Sequence, residues 1–295
     1  MNWDDAKCLL AVARTGQMLA AAKRLGMTQA TLSRRIASLE QALDTQLVIR
    51  RAHGSDLSED GLALVGRFER VEAEMNAAQA ALRREEASLS GSVRIGAPDG
   101  LGLSFVAPRL GRLAASHPNL QIELVPVTRS FSLSQREADI AIMVGRPEKG
   151  RLVARKLTDY SLHLYASPDY LAQHGRPTVP QDLSDHRLIG YVEDLISTPE
   201  LNYSAEFLRN WKSAIAISSA TGQMTAVRSG AGIGILHDFM VAEDLKLKRL
   251  LPELSVSRSF WIAWHESLRD LPRIKATAEF LVNEVAKDRH RFLSA

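Results

Sequence analysis

The chain has 295 residues, 45% hydrophobic and 24% charged, with a formal net charge of +3 and a pI near 9.1. That length suits two domains, or one large and one small, and the composition is that of an ordinary soluble globular protein. Apolar runs such as 140–144 are too short to span a membrane, and the acidic start Met1-Asn2-Trp3-Asp4-Asp5 carries no secretory signal. A lone cysteine, Cys8, excludes an intrachain disulfide. The cytosol is the expected compartment, with Cys8 a buried thiol on an apolar helical run.

Charge is unevenly placed. Between Lys7 and Arg51 eight basic residues face two acids, Glu40 and Asp44, whereas 56–86 carries eight acids against four arginines. A basic module beside an acidic one is the footprint of a surface that meets phosphate on one side.

Three short helices are predicted in the first sixty residues. The first runs from about Asp4 to Arg14 and stops at Gly16; the second spans about Met18 to Leu25 and is followed by Gly26. Thr28 is suited to cap a third helix from Gln29 to about Leu43, with Leu32, Ile36 and Leu39 facing the core. The opposite face holds Ala30, Arg34 and Ala37, flanked by Thr31, Ser33 and Ser38. Small side chains allow close approach to a major groove, Gln29 can address base edges, and hydroxyls can meet phosphate. Two helices joined by a short Gly-containing turn, the second with this face, make a helix-turn-helix. The β-prone stretch 46–51, the turn 52–56 and Leu57 then predict a hairpin wing bearing Arg50, Arg51 and His53.

From Ser58 one long helix is predicted to about Leu89. Leu64, Phe68, Val71, Met75, Ala78, Leu82 and Leu89 fall on an alternating four-three spacing interrupted only by Glu85, a seam that favours pairing with a second helix. After the break at 89–92, strands alternate with helices. Strands are expected at 93–97, 120–127, 139–144, 152–156, 161–165, 187–191, 214–218, 233–236 and 259–264. Helices are expected up to Ser116, at 168–174, 221–229 and 272–292, with a short one before Asp139. The pattern implies a largely parallel, doubly covered α/β sheet. Ligands of such sheets sit at the carboxyl ends of the strands. The candidates there are Pro98, Asp99 and Gly100, then Thr128 and Arg129, then Gly145 and Arg146, with Ser219, Thr221 and His237 from later in the chain. Helix N-termini after Gly100 and near Thr221 would offer donors to an anion, and Arg129 or Arg146 could add charge. Asp99 argues instead for an amine or hydroxyl.

The run 25–40, with 47–50 and 57–61, resembles the LysR-type transcriptional regulators. The runs 91–98, 136–142 and 230–235 resemble that family's effector domain, which is similar to periplasmic solute-binding proteins. The resemblance implies a winged helix-turn-helix head over 1–60, a dimerising linker helix over 61–90, and an effector-binding domain over 91–295. The last would comprise one subdomain of about 91–160 plus 266–295 and another of about 161–265, joined by crossovers near 157–161 and 264–268. It further implies that Thr28, Gln29, Thr31, Ser33 and Arg34 match operator-contacting positions, and that Arg50, Arg51 and His53 match wing positions. The chain departs from the family at Gln17 and Leu19, where Ser and Thr are usual, and at Ala30, Arg35 and Val48; Arg35, counted with Ala30 among the DNA-binding candidates, adds a charge where the family usually reads with an amide. Implied partners are double-stranded DNA, a small-molecule effector and further copies of the chain, a homodimer through the linker helix and a homotetramer by family expectation, with RNA polymerase a candidate.

Two other classes fit less well. An enzyme lacks support, since no Gly-x-Ser-x-Gly, phosphate loop or His-Glu-x-x-His occurs, and Gly230-x-Gly232-x-Gly234 has the wrong spacing for a dinucleotide loop. The histidines are scattered singly, so neither metal nor cofactor is expected. A stand-alone solute-binding protein would need an export signal and would have no use for residues 1–60.

Overall fold

A computed structural model describes residues 2–51, 54–83, 89–127, 138–147, 151–196, 199–242 and 246–293. Two compact units divide the chain between Ser88 and Leu89, apart from Asp270–Pro272, which group with the first.

In the first unit, α1 (Trp3–Thr15) is capped by the Asn2 side chain and closed by Gly16 in the left-handed region at φ 66°. Helix α2 (Met18–Arg24) has no side-chain cap at Gln17, in keeping with the departure noted there, and the chain turns at Gly26 with φ 65°. Thr28 caps α3 (Gln29–Leu43), its hydroxyl accepting from the Thr31 N–H at 3.2 Å. Leu9, Leu10, Ala21, Leu32 and Leu39 are fully buried together, with Ile36 and Cys8 among them. The apolar spacing of α3 therefore forms the core face expected of it.

The wing is an antiparallel pair, β1 (Val48–Arg51) and β2 (Gly54–Leu57). One oxygen of Glu40 on α3 accepts from both Leu47 N (2.8 Å) and Val48 N (2.9 Å), which pins the start of the wing to the helix. Helix α4 (Glu59–Arg83) begins at Ser58, whose hydroxyl accepts from Gly61 N and donates to Gln46 O. A side chain at Gly61 would place its Cβ 2.2 Å from the Leu47 carbonyl oxygen, so only glycine lets α4 lie this close to β1. Val65 and Phe68 enter the head core, Phe68 meeting Trp3 edge-on at 6.3 Å. Phe68 thus serves the head, and Leu64 packs beside it. Val71 and Met75 point outward, 45% and 44% exposed. The side chains of Ala78 and Leu82 and the stretch 84–88 lie outside the described residues, and Leu89 is not helical.

The second unit is built on a nine-stranded sheet of β3 (Gly91–Pro98), β4 (Leu120–Val127), β5 (Ile140–Val144), β6 (Leu152–Ala166), β7 (Leu188–Gly190), β8 (Ile215–Ala216), β9 (Ile233–His237), β10 (Lys248–Leu250) and β11 (Val256–His265). Its order is β4-β3-β5-β11-β6-β9-β7-β8, with β10 also pairing β6. Around it lie α5 (Asp99–Leu101), α6 (Leu110–Ser116), α7 (Pro168–His174), α8 (Ser204–Phe207), α9 (Ala220–Arg228), α10 (Asp238–Val241) and α11 (Pro272–Lys287). The sheet is mixed rather than largely parallel. β3 runs parallel to β4 and β5, and β7 to β8 and β9, but β6 and β11 run antiparallel to their neighbours.

Three further expectations are corrected here. The segments 152–156 and 161–165 form one strand, because Thr158 and Tyr160 are buried and hold the intervening chain extended. The polar break between them is an exposed Lys156–Asp159 ion pair along that strand. The second crossing strand is β11, not 264–268, where Glu266–Leu268 is a 3-10 turn; Phe260, Ile262 and Ala263 are buried and keep β11 extended. The helix expected up to Ser116 is broken as well, into α5, a π turn (Gly102–Val106), a 3-10 turn (Ala107–Arg109) and α6. Pro108 has no N–H to donate, so the α ladder cannot pass through it. The short helix expected before Asp139 lies outside the described residues.

Glu40→Ala removes the acceptor of two backbone donors and should lower the unfolding free energy by about 1–3 kcal/mol. Glu40→Gln, which keeps an accepting oxygen, should lose less; urea titrations of the two variants check this.

Candidate nucleic-acid interface and ligand site

Thr28, Gln29 and Ala30 at the start of α3 are exposed, with Thr31 and Ser33 half-buried. The Thr28 and Thr31 hydroxyls are 2.9 Å apart and hold the turn in place. Arg34, one turn on from Ala30, is exposed and has no partner among the described residues. Opposite lie the buried Leu32, Ile36 and Leu39, so the small, hydroxylated face is the one left toward solvent. Arg35 is placed differently. Its Nη1 lies 3.1 Å from Asp5 Oδ1, which ties α3 back onto α1. On the wing, Arg51 Nε is 2.9 Å from Asp56 Oδ2, both residues exposed. The Arg50 side chain and His53 lie outside the described residues.

In the second unit, β3 ends at Pro98 and delivers Asp99 to the start of α9. The buried Asp99 carboxylate accepts from the Ser219 hydroxyl (2.6 Å), Ala220 N (3.3 Å) and Thr221 N (3.1 Å). Ser219 in turn accepts from Gly222 N at 3.0 Å. The donors at this helix start, expected to meet an anion, are engaged by the chain itself. Gly100 lies so close to Met240 and Ala220 that a Cβ would come within 2.9 Å of the Met240 sulfur. Pro98, Asp99, Gly100, Ser219 and Thr221 therefore gather at one place.

His237, at the end of β9, is buried and stacks on Tyr160 at 5.3 Å. Burial pushes its pKa down to about 4, against the charges of Asp99 and Asp238, so the ring is neutral at physiological pH. Gly145 follows β5 with φ 76° and backs onto the Glu200 side chain. Arg146 is exposed, its guanidinium 5.5 Å over the Trp261 ring. Thr128 and Arg129 lie outside the described residues.

A cavity of about 420 Å³ opens beside α9, lined among others by Tyr191, Glu193, Asn202, Tyr203, Trp211 and Gln223. Gln223 is buried and donates to Ile217 O at 2.8 Å, and Trp211 Nε1 donates to Ser213 at 3.1 Å. Tyr203 is 3% exposed, and its hydroxyl adjoins that of Tyr191. Sequence reasoning did not single out these residues. The available signal was the crowding of Tyr191, Tyr203, Phe207 and Trp211 in a chain only 6% aromatic. Among the described residues no group of His, Cys, Asp and Glu could hold a metal ion.

Residues 3–62 match the family model of the bacterial regulatory helix-turn-helix protein, lysR family, and residues 86–286 match the LysR substrate binding domain. The regulator CrgA of Neisseria meningitidis is 26% identical, over 97% of this chain and 98% of its own. The activator TtdR of Escherichia coli is 30% identical, over 94% and 91%. The solved CrgA structure superposes with a TM-score of 0.59, covering 97% of this chain and 99% of that one. LysG of Corynebacterium glutamicum, solved with bound effector Arg, gives a TM-score of 0.65 over 97% and 99% at 17% identity, a likeness of fold.

The neutral His237 has a consequence for stability. Its folded pKa of about 4 lies below the unfolded value of 6.5, so the unfolded chain binds the extra proton between them and stability falls as pH drops through that window. The loss from pH 7 to 4 should be about 3 kcal/mol. Denaturant titrations across this range should show that component missing in His237→Gln.

Proposed function

This chain belongs to the LysR family of bacterial helix-turn-helix transcriptional regulators, and we propose that it reads its operator through the first two turns of α3. Like its named relatives it is a regulator of transcription and not an enzyme, with a DNA-binding head and an effector-binding domain. In this reading Gln29 and Arg34 address base edges, the small Ala30 allows close approach, and Thr28, Thr31 and Ser33 meet the phosphate backbone. Arg50, Arg51 and His53 on the wing add phosphate or minor-groove contacts. Arg35, tied to Asp5, supports the head and adds positive potential rather than reading a base. The observation that carries the assignment is the exposed, unpartnered Arg34 beside a small, hydroxylated first turn.

Effector binding is assigned to the neighbourhood of Pro98, Asp99 and Gly100 with Ser219, Thr221 and His237, flanked by Gly145 and Arg146, with Thr128 and Arg129 following β4. Ligand there shifts the population between arrangements of the domain and so changes operator affinity or bending. A coupling of about 1–3 kcal/mol is enough for a useful switch. The outward Val71 and Met75 on α4 are the seam through which two copies pair, giving two heads for two half-sites. Pairing of dimers into a tetramer and contact with RNA polymerase extend the same reading. Among the described residues no helix is long and apolar enough to cross a membrane, which accords with a cytoplasmic regulator.

Arg34→Ala should weaken binding to the operator by about 1–3 kcal/mol and leave a scrambled duplex nearly unaffected. Equal weakening on both would make Arg34 a phosphate contact, and unchanged binding on both would remove α3 from the interface. Replacing Val71 and Met75 together by glutamate should shift the protein toward monomer in sedimentation and weaken operator binding with it.

A further inference from the structure

We propose that the cavity beside α9 takes a small organic amine and rejects carboxylates. The cavity adjoins the proposed effector site through α9, though none of Pro98, Asp99, Gly100, Ser219, Thr221 and His237 lines it; the proposal rests on that reading, extends the site to the cavity and specifies the ligand class. Its volume of about 420 Å³ is at the lower end for ligand pockets. Tyr191, Tyr203 and Trp211 contribute three electron-rich rings, the kind of lining that attracts an ammonium group. Glu193 is the charged residue in the lining; no Lys, Arg or His joins it.

The place where an anion would ordinarily dock is filled. Gln223, which borders the cavity, belongs to α9, and the first donors of that helix are held by Asp99. A carboxylate ligand would have to displace a tethered carboxylate that is always present. Otherwise it would lie near Asp99 and Glu193, and the Arg258 charge that reaches Tyr203 is already paired with Glu206. An ammonium meets the opposite situation, with one carboxylate in the lining and another at the adjoining helix start. The Tyr203 hydroxyl, next to that of Tyr191, adds a buried polar atom. Burial holds its proton on, as burial and then the Asp99 charge do for Tyr191, so the tyrosines contribute neutral phenols rather than charges.

Calorimetry and thermal shift on the full-length protein test this with matched skeletons: 2-phenylethylamine, tyramine and cadaverine against 3-phenylpropionate and acetate. At least one amine should bind, and phenylpropionate should bind more weakly by about tenfold or more, the ratio one partly desolvated cation–π contact supplies. Tyr203→Phe and the exposed Glu193→Gln should each weaken the amine, and Asp99→Ser, by freeing the α9 donors, should raise affinity for the carboxylates. Carboxylates binding the wild type as tightly as the amines overturns the proposal, as does failure of every amine to bind. Operator affinity measured in parallel separates the two readings. An amine that binds without changing operator affinity or bending defeats the sensing role and leaves the ligand class standing. A carboxylate that changes operator affinity defeats the class and leaves the sensing role standing.

Discussion

A carboxylate cannot be buried without donors to neutralise it, and Asp99 meets that constraint by reaching a helix start 120 residues away. Three charge-assisted hydrogen bonds hold it there, each stronger than its neutral counterpart. The contact fastens the end of β3 to the beginning of α9. Its neighbours fit around it. Gly100 leaves no room for a side chain beneath Met240, and Asp99 is committed to α9, so burial outweighs its pull on the nearby His237 proton.

The head was largely legible in the sequence because its signals are local. The Thr28 cap, the left-handed Gly16 and Gly26, and the Leu32-Ile36-Leu39 spacing each act within one or two turns, and α3 has the bounds they implied. What escaped was non-local. Glu40 looks like any surface acid on a helix, yet its oxygen organises two backbone N–H groups seven and eight residues on. Arg35 looks like part of a basic reading face, but its partner Asp5 lies on another helix. Side-chain patterns do not encode which backbone donors a carboxylate will meet, nor which of two adjacent arginines turns inward.

In the larger unit the strands other than the three-residue β10 were legible as alternation, while their directions and continuity were not. An apolar run reads the same whether its neighbour is parallel or antiparallel, so the antiparallel placement of β6 and β11 is a tertiary result. The exposed Lys156–Asp159 pair resembles a turn in sequence although it lies along an extended strand. At the ligand side the strand-end rule brought Pro98, Asp99 and Gly100 together with Ser219 and Thr221. The aromatic cavity comes from a segment of short turns between β7 and β8, with no periodicity to mark it.

Strand β11 follows β6 for its whole length, and the ladder slips in register between Phe260 and Trp261. Such a slip bends a strand and concentrates its twist. The pair behaves like a torsion bar with a notch, and the notch lies where Phe260 stacks on Tyr160 at 4.1 Å, next to the His237 ring. The ring of His237 and the slipped ladder are thus linked by two successive ring contacts through Tyr160, with no loop between them.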